Sequence, residues 1–342
     1  VKKLAVLVLA LVLLVSAVSF SYAAVSVGGN LRVWYQTTSD ENDTTNADSE
    51  DSDTFRFDRL ALTFASELSA VDGFKGELQI RQPRNDHKDS NSFGTDIRVD
   101  NAYYYQKAMF FEGDEMDIGY IQQLPFKGGY NAIVLESLAN TIIKDTNSVG
   151  IKYSNKISSQ FDIALALLNS KNQYNKDDSN YEGFDYGVRM NYAPISGLKI
   201  GLAYVDDVTN DDNYKTAYVV DATYTNGPFG AFVEYVSAST TASGKTTDLD
   251  PATYVELSYK VADPFTLYVG TTAGLGTDAK SLNKGFSYKF TDADSDFTAL
   301  DNWMLFGCKY QLAPNTALQA EYVSVDGDKT QNVTAVRMIV SF

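Results

Sequence analysis

The chain has 342 residues, 44% hydrophobic and 21% charged, with 28 Lys and Arg against 44 Asp and Glu for a formal net charge of -16. That charge excludes a general nucleic-acid binder, which needs a basic face to displace counterions from phosphates. One cysteine, Cys308, excludes an internal disulfide framework and a cysteine-based zinc site, and one histidine, His87, leaves little for acid–base catalysis near neutral pH.

At the start of the chain Lys2 and Lys3 precede the apolar run Leu4 to Val15, and Ser21-Tyr22-Ala23 sets small residues at the third and first positions before a cleavage point. The pattern predicts a secretory signal peptide over residues 1–23, cut after Ala23, and a single domain over 24–342. Removing the signal leaves 26 basic and 44 acidic side chains, a formal charge of -18. No later run reaches the roughly 18 to 20 consecutive apolar residues of a membrane helix. Any later membrane span must therefore be made of strands.

Past the signal, apolar residues recur at period two, the mark of strands with chemically different faces. Val25, Val27, Leu31, Val33 and Tyr35 alternate with Ser26, Asn30, Arg32 and Trp34; Phe74, Leu78 and Ile80 alternate with Lys75, Glu77, Gln79 and Arg81. Next come Phe161 to Leu167, Tyr186 to Tyr192 against Asp185, Arg189 and Asn191, Leu198 to Tyr204, Tyr218 to Tyr224, Phe229 to Tyr235, Val255 to Tyr259 and Phe265 to Val269. Met304 to Tyr310, Leu318 to Tyr322 and Val336 to Phe342 complete the series. One place breaks phase: Phe55 and Phe57 do not match Leu60, Leu62 and Phe64, and a bulge near Asp58 would reconcile them.

Connections alternate between short Gly-, Pro- or Asn-bearing turns and long, polar, acidic segments such as Thr38 to Asp53, Ser237 to Asp250 and Thr271 to Asp301. Short turns at one end and long loops at the other predict an all-β, transmembrane antiparallel barrel, with turns toward the periplasm and loops outside. The count is about sixteen strands, with eighteen if Thr271 to Asp301 hides a hairpin and fourteen if one run is misread. A secreted β-sandwich would also alternate, but it gives no reason to gather Tyr153, Tyr192, Tyr224, Phe229, Tyr259, Phe265 and Tyr310 at the turn end of successive strands. An aromatic girdle at a membrane interface does.

Sixteen strands enclose an aqueous channel, whereas about eight fill with side chains. Parity puts Arg32, Arg59, Lys75, Arg81 and Arg98 on the inner wall, a basic cluster along one side of the lumen. The third long connection, Leu124 to Ser148, is apolar and lightly charged, with Ile133, Val134, Leu135, Leu138 and Ile142 near helical spacing. Folded into the lumen it would narrow the channel and bring Glu136, Lys144 and Asp145 toward the basic wall. Alternatively it lies outside the barrel as a short helix.

Leu124-Pro125-Phe126-Lys127-Gly128-Gly129 resembles the Pro-Glu-Phe-Gly-Gly type sequence in the third loop of general bacterial porins, which also share the signal peptide, about sixteen strands and a terminal Phe like Phe342. Thr54 to Phe64 and Gly119 to Phe126 look like the related phosphate-selective porins, although this third loop holds few acids and the chain has no dense lysine array. The resemblance implies a homotrimer in outer-membrane lipid and lipopolysaccharide, delivery to the barrel assembly machinery through the last strand and Phe342, and passive diffusion of small hydrophilic solutes. It implies no cofactor.

Competing readings are weaker. A hydrolase would need a nucleophile and base around His87, within Arg84-Asn85-Asp86-His87-Lys88-Asp89-Ser90, and nothing places a serine there. Asp40 to Asp53 holds seven acids, and Asp292, Asp294 and Asp296 have the start of a calcium-loop spacing. Phe297 and Trp303 stand where that loop needs Gly and Glu. Gly274-Leu275-Gly276 lacks the rest of a nucleotide-binding fingerprint. An adhesin or structural barrel whose acidic loops bind a partner or divalent cations is the alternative function. Between the negative loops and the arginine wall, ion preference leans to cations.

Overall fold

The computed structural model describes residues 25–40, 52–81, 96–121, 148–169, 184–206, 214–242, 245–248, 251–273, 300–327 and 331–342. The predicted signal peptide, the third connection and the acidic segment around Asp292 lie outside these residues.

Every regular element among the described residues is a strand: β1 (Val25–Asp40), β2 (Ser52–Glu67), β3 (Asp72–Arg81), β4 (Asp96–Lys107), β5 (Asp114–Ile121), β6 (Ser148–Asn155), β7 (Phe161–Asn169), β8 (Phe184–Ile195) and β9 (Leu198–Asp206). They continue as β10 (Tyr214–Asn226), β11 (Phe229–Ala242), β12 (Lys245–Asp248), β13 (Ala252–Ala262), β14 (Phe265–Ala273), β15 (Leu300–Ala313), β16 (Thr316–Gly327) and β17 (Gln331–Ser341). Neighbouring strands pair antiparallel in sequence order, except that β13 pairs with β11 rather than β12, and β17 returns to β1, so the sheet closes on itself. At the seam the Gly29 and Phe342 backbones exchange hydrogen bonds of 2.9 and 3.0 Å. β12 and β13 both lie against β11, one above the other, and together make a single stave. The wall is therefore a closed barrel of sixteen staves, the number that the periodicity predicts.

Closure follows from the alternating pattern. In β10, Tyr218, Val220 and Tyr224 are exposed while Ala217, Val219 and Asp221 on the other phase are buried. The same split recurs in β7, β8, β11, β13, β15 and β16, where most large apolar residues stand on the exposed phase, while Leu168, Phe232, Trp303 and Leu305 are buried on the other. A soluble sheet buries its apolar face. Here that face points outward, as a lipid-facing surface requires.

Aromatic pairs ring the turn end of this outer surface, as Phe74 with Tyr104 at 5.4 Å, Phe229 with Tyr259 at 4.8 Å and Phe265 with Tyr310 at 6.4 Å. A second belt, not anticipated from the sequence, lies at the loop end: Tyr35 with Phe55 at 4.8 Å, and Tyr186, Tyr204 and Tyr218 in a chain of 6.2 and 4.9 Å contacts. Two belts define two interfaces of one membrane.

The phase break in β2 has the predicted cause. Phe57 faces Val33 and Arg59 faces Arg32, so Asp58 is the extra residue of a bulge and both flanking runs keep their apolar side chains outward. A second bulge was not legible: Glu77 faces Asn101 and Leu78 faces Val99, leaving Asp100 as the extra residue of β4. The segment Ser237 to Asp250, expected as a polar loop, is instead largely a β ribbon in which Thr240 faces Thr247 and Thr241 faces Thr246. Threonines suit a pleated backbone whichever solvent they meet.

Seven short turns close the other end, at residues 68–71, 108–113, 156–160, 196–197, 227–228, 263–264 and 314–315. Gly197 has φ 82°, and a Cβ there would strike the Thr225 carbonyl oxygen, so this tight turn requires glycine.

Candidate functional site: the inner wall

The predicted basic residues Arg32, Arg59, Lys75, Arg81 and Arg98 fall on β1 to β4. Arg32 faces Arg59, and Arg59 faces Arg81, so three arginines occupy one register row across three strands. Arg98 stands next along, opposite Gln79. Its Nη2 lies 3.1 Å from the carboxylate of the bulge residue Asp100. Lys75 sits nearer the turn end, 3.9 Å from Glu115 and 4.5 Å from the centre of the Tyr105 ring. Beside it Lys152 reaches the buried Asp117 at 2.6 Å. The register thus aligns Arg32, Arg59 and Arg81 in one row, and acids accompany Arg98, Lys75 and Lys152. Pro125, Phe126, Lys127, Gly128, Gly129, Glu136, Lys144 and Asp145, predicted for the constriction, lie outside the described residues, as does His87.

Apart from Asp185, the acids of the opposite wall were missed by sequence reasoning. Asp185, Asp221, Glu234, Glu256 and Glu321 are all buried on the inner phase of β8, β10, β11, β13 and β16. Asp221 and Glu234 are direct cross-strand neighbours. Tyr254 donates a 2.6 Å hydrogen bond to Glu256, and Tyr268 donates one of 3.1 Å to Glu321. The sequence signal was available: each acid occupies the polar phase of an alternating run. Its meaning depends on which staves face each other. With sixteen staves, β2, β3 and β4 stand half a circuit from β10, β11 and the β12/β13 stave. Arg59 and Arg98 therefore stand across the barrel from the strands of Asp221, Glu234 and Glu256.

Glycines let the long inner side chains lie flat. Arg189 of β8 crosses Gly201 of β9 to meet Asp221 of β10, with Nη1 to Oδ2 at 2.8 Å and Nη2 to Oδ1 at 2.9 Å. Tyr268 of β14 crosses Gly307 of β15 to reach Glu321 of β16, three residues in one register row. Tyr254 lies likewise against Gly270 and stacks on Trp303 at 5.2 Å. A Cβ on Gly307 would collide with the Tyr268 ring. Gly307→Ala is therefore expected to destabilise the barrel by about 1–3 kcal/mol, the usual cost of overpacking, seen as a lower midpoint of heat-modifiable electrophoretic mobility. Tyr268→Ala in the same chain should recover part of the loss.

The comparisons with known proteins agree with this architecture. A family model of Gram-negative porins matches residues 5–330. No curated protein matches the chain by sequence. In fold the chain is similar to in-vitro folded OmpT, an outer membrane protein of Vibrio cholerae, with a TM-score of 0.65 at 13% identity over 94% of this chain and 98% of that one. It is similar also to the outer membrane channel DcaP of Acinetobacter baumannii, with a TM-score of 0.59 at 12% identity over 95% and 99%. A substituted variant of Rh. blastica porin gives 0.60 at 15% identity over 93% and 100%. A closed sixteen-stave wall with an apolar outer face and a charged inner one, matched over nearly its whole length by that family model, makes this chain a member of the Gram-negative porin family, an outer-membrane channel for passive diffusion.

Proposed function

We propose that the channel acts without catalysis as a homotrimer that passes small hydrophilic solutes and ions, with a preference for cations. The observation that carries this reading is the placement of the basic residues of β2 to β4 half a circuit from the acidic strands β10 to β13. Charged groups on opposite walls orient a dipolar solute and set ion preference electrostatically. The cation preference is supported by the acidic excess, 44 Asp and Glu against 28 Lys and Arg. In this reading the third connection supplies Pro125 to Gly129, Glu136, Lys144 and Asp145 to the constriction, residues 1–23 direct export, and Phe342 serves in assembly. The acidic loops meet lipopolysaccharide through divalent cations.

Reconstitution into a planar bilayer tests the reading. Discrete conductance steps are expected, and a trace without them would remove the diffusion pore. Under a salt gradient Arg59→Glu should move the zero-current potential further toward cations, a change of roughly twofold or more in the permeability ratio. An unmoved potential would put Arg59 off the ion path.

A further inference from the structure

Near the turn end of the lumen, β3 to β6 carry a cluster of lysines and tyrosines separate from the arginine row. Lys75, Tyr103, Tyr105 and Lys107 share one phase of β3 and β4, opposite to that of the outward pair Phe74 and Tyr104. They therefore belong to the inner wall. On β5, Glu115 stands across from Lys107 and Asp117 across from Tyr105, while Lys152 of β6 stands across from Asp117.

The Tyr105 ring organises this cluster. A Cβ on Gly73 would lie 2.7 Å from the Tyr105 hydroxyl and 2.9 Å from its Cε1, so the buried ring lies across β3 at a position that only glycine leaves open. The Lys75 and Lys107 ammonium groups stand 4.5 and 5.2 Å from the centre of that ring, and the Lys152 ammonium stands 6.0 Å from the centre of the Tyr103 ring. Attraction to a ring face positions an ammonium group without cancelling its charge.

Pairing singles out two of the three lysines. Lys152 is matched by Asp117 at 2.6 Å, whereas Lys75 meets Glu115 only at 3.9 Å, with side chains 40% and 28% exposed. Lys107 forms no ion pair among the described residues. Glu77, the next inner acid of β3, is engaged by Gln79, whose Nε2 donates to it at 2.5 Å. Two ammonium groups, one loosely paired and one unpaired, are thus held beside a single ring on a wall that solutes pass. A carboxylate reaching both would gain two charge-assisted contacts. The half-buried Tyr103 ring, across from Lys75, offers an apolar surface to the carbon skeleton behind it. We propose that Lys75 and Lys107, positioned by Tyr105, form a binding station for the carboxylate of a small organic solute at the turn-end mouth of the channel. The station rests on the channel reading and adds to it a solute class and a saturable step.

The test uses the full chain in a planar bilayer under potassium chloride, with potassium succinate added to each compartment in turn and potassium sulfate at equal ionic strength as the inorganic comparison. Conductance steps recorded before any addition establish the channel; their absence would remove the channel and the station with it. The proposal expects the step size to fall along a saturating curve with succinate, at lower concentrations than with sulfate. Lys107→Gln and Lys75→Gln should each raise the half-saturating succinate concentration roughly threefold, the scale of one partly exposed ion pair. Lys260→Gln, near the turn end of β13 and half a circuit from β4, should leave it unmoved. A proportional fall without saturation, equal curves for succinate and sulfate, or the same shift from Lys260→Gln would each overturn the station while leaving the channel intact. So would unchanged saturation in the lysine variants, and either of them alone is sufficient should the other fail to fold.

Discussion

Val220→Arg is expected to destabilise the barrel by about 2–4 kcal/mol, the cost of a basic side chain on the lipid face near the membrane midplane. Val220 stands at the middle of β10, on the exposed apolar phase, between Leu202 of β9 and Tyr235 of β11. On a soluble protein such a surface position, well away from any special feature, would accept arginine within about 0.5 kcal/mol. The difference between these two figures is what the membrane contributes, so the substitution tests the outer solvent directly. Urea titration in lipid vesicles measures it, with heat-modifiable mobility as a second readout. Thr223→Arg supplies the control, since Thr223 lies on the inner phase of the same strand, where an arginine meets water. Equal tolerance of the two substitutions would mean that the strand phase is inverted or that the outer face does not meet lipid.

Much of the architecture was legible because a barrel wall separates two solvents, and a period of two writes that separation into every strand. Even the Asp58 bulge could be read, since a one-residue insertion shifts the phase of Phe55 and Phe57 against Leu60 and Leu62. The Asp100 bulge could not, because the polar residues around it, Arg98 and Asn101, conceal the phase. The ribbon at Ser237 to Asp250 was hidden by a polar composition that strands and loops share outside the membrane. The inner wall was harder still. That Arg32 and Arg59 face inward follows from parity within each strand, but the alignment of Arg32, Arg59 and Arg81 in one row is a matter of register between strands. The same holds for glycine: Gly307 matters because Tyr268 and Glu321 come to lie on either side of it, which no local pattern announces. Acids were noticed in the loops, where they are abundant, while the less numerous acids of the wall face the arginines.

The largest single effect within the wall is expected at Asp221. Its carboxylate and the Arg189 guanidinium are 6% and 5% exposed, so each is the other's principal compensation for lost water. Asp221→Ala should cost about 3–5 kcal/mol, because it strands a buried guanidinium rather than merely deleting a contact. The exposed pair Lys260 and Asp263, at the same 2.8 Å separation, provides the contrast. Its side chains are 50% and 98% exposed, and Asp263→Ala should leave stability nearly unchanged, since solvent already screens that pair. Replacing both buried partners, as Arg189→Met with Asp221→Leu, should recover most of the loss, because no charge then remains without a partner. Urea titration of the three variants in vesicles measures the coupling. A double variant as unstable as Asp221→Ala would show that the wall needs the ion pair itself. That outcome has a structural rationale worth separating from desolvation: backbone hydrogen bonds join only adjacent strands, whereas this pair passes over Gly201 and ties β8 to β10 across β9. Gly201→Ala distinguishes the two accounts. Its Cβ would lie 2.6 Å and 2.7 Å from the Asp221 oxygens and against the Arg189 guanidinium, forcing the pair apart with both charges still present. If the cross-tie is what stabilises the wall, Gly201→Ala should be as damaging as Asp221→Ala. If charge compensation dominates, the guanidinium and carboxylate will find new partners along the inner wall and the loss should be smaller.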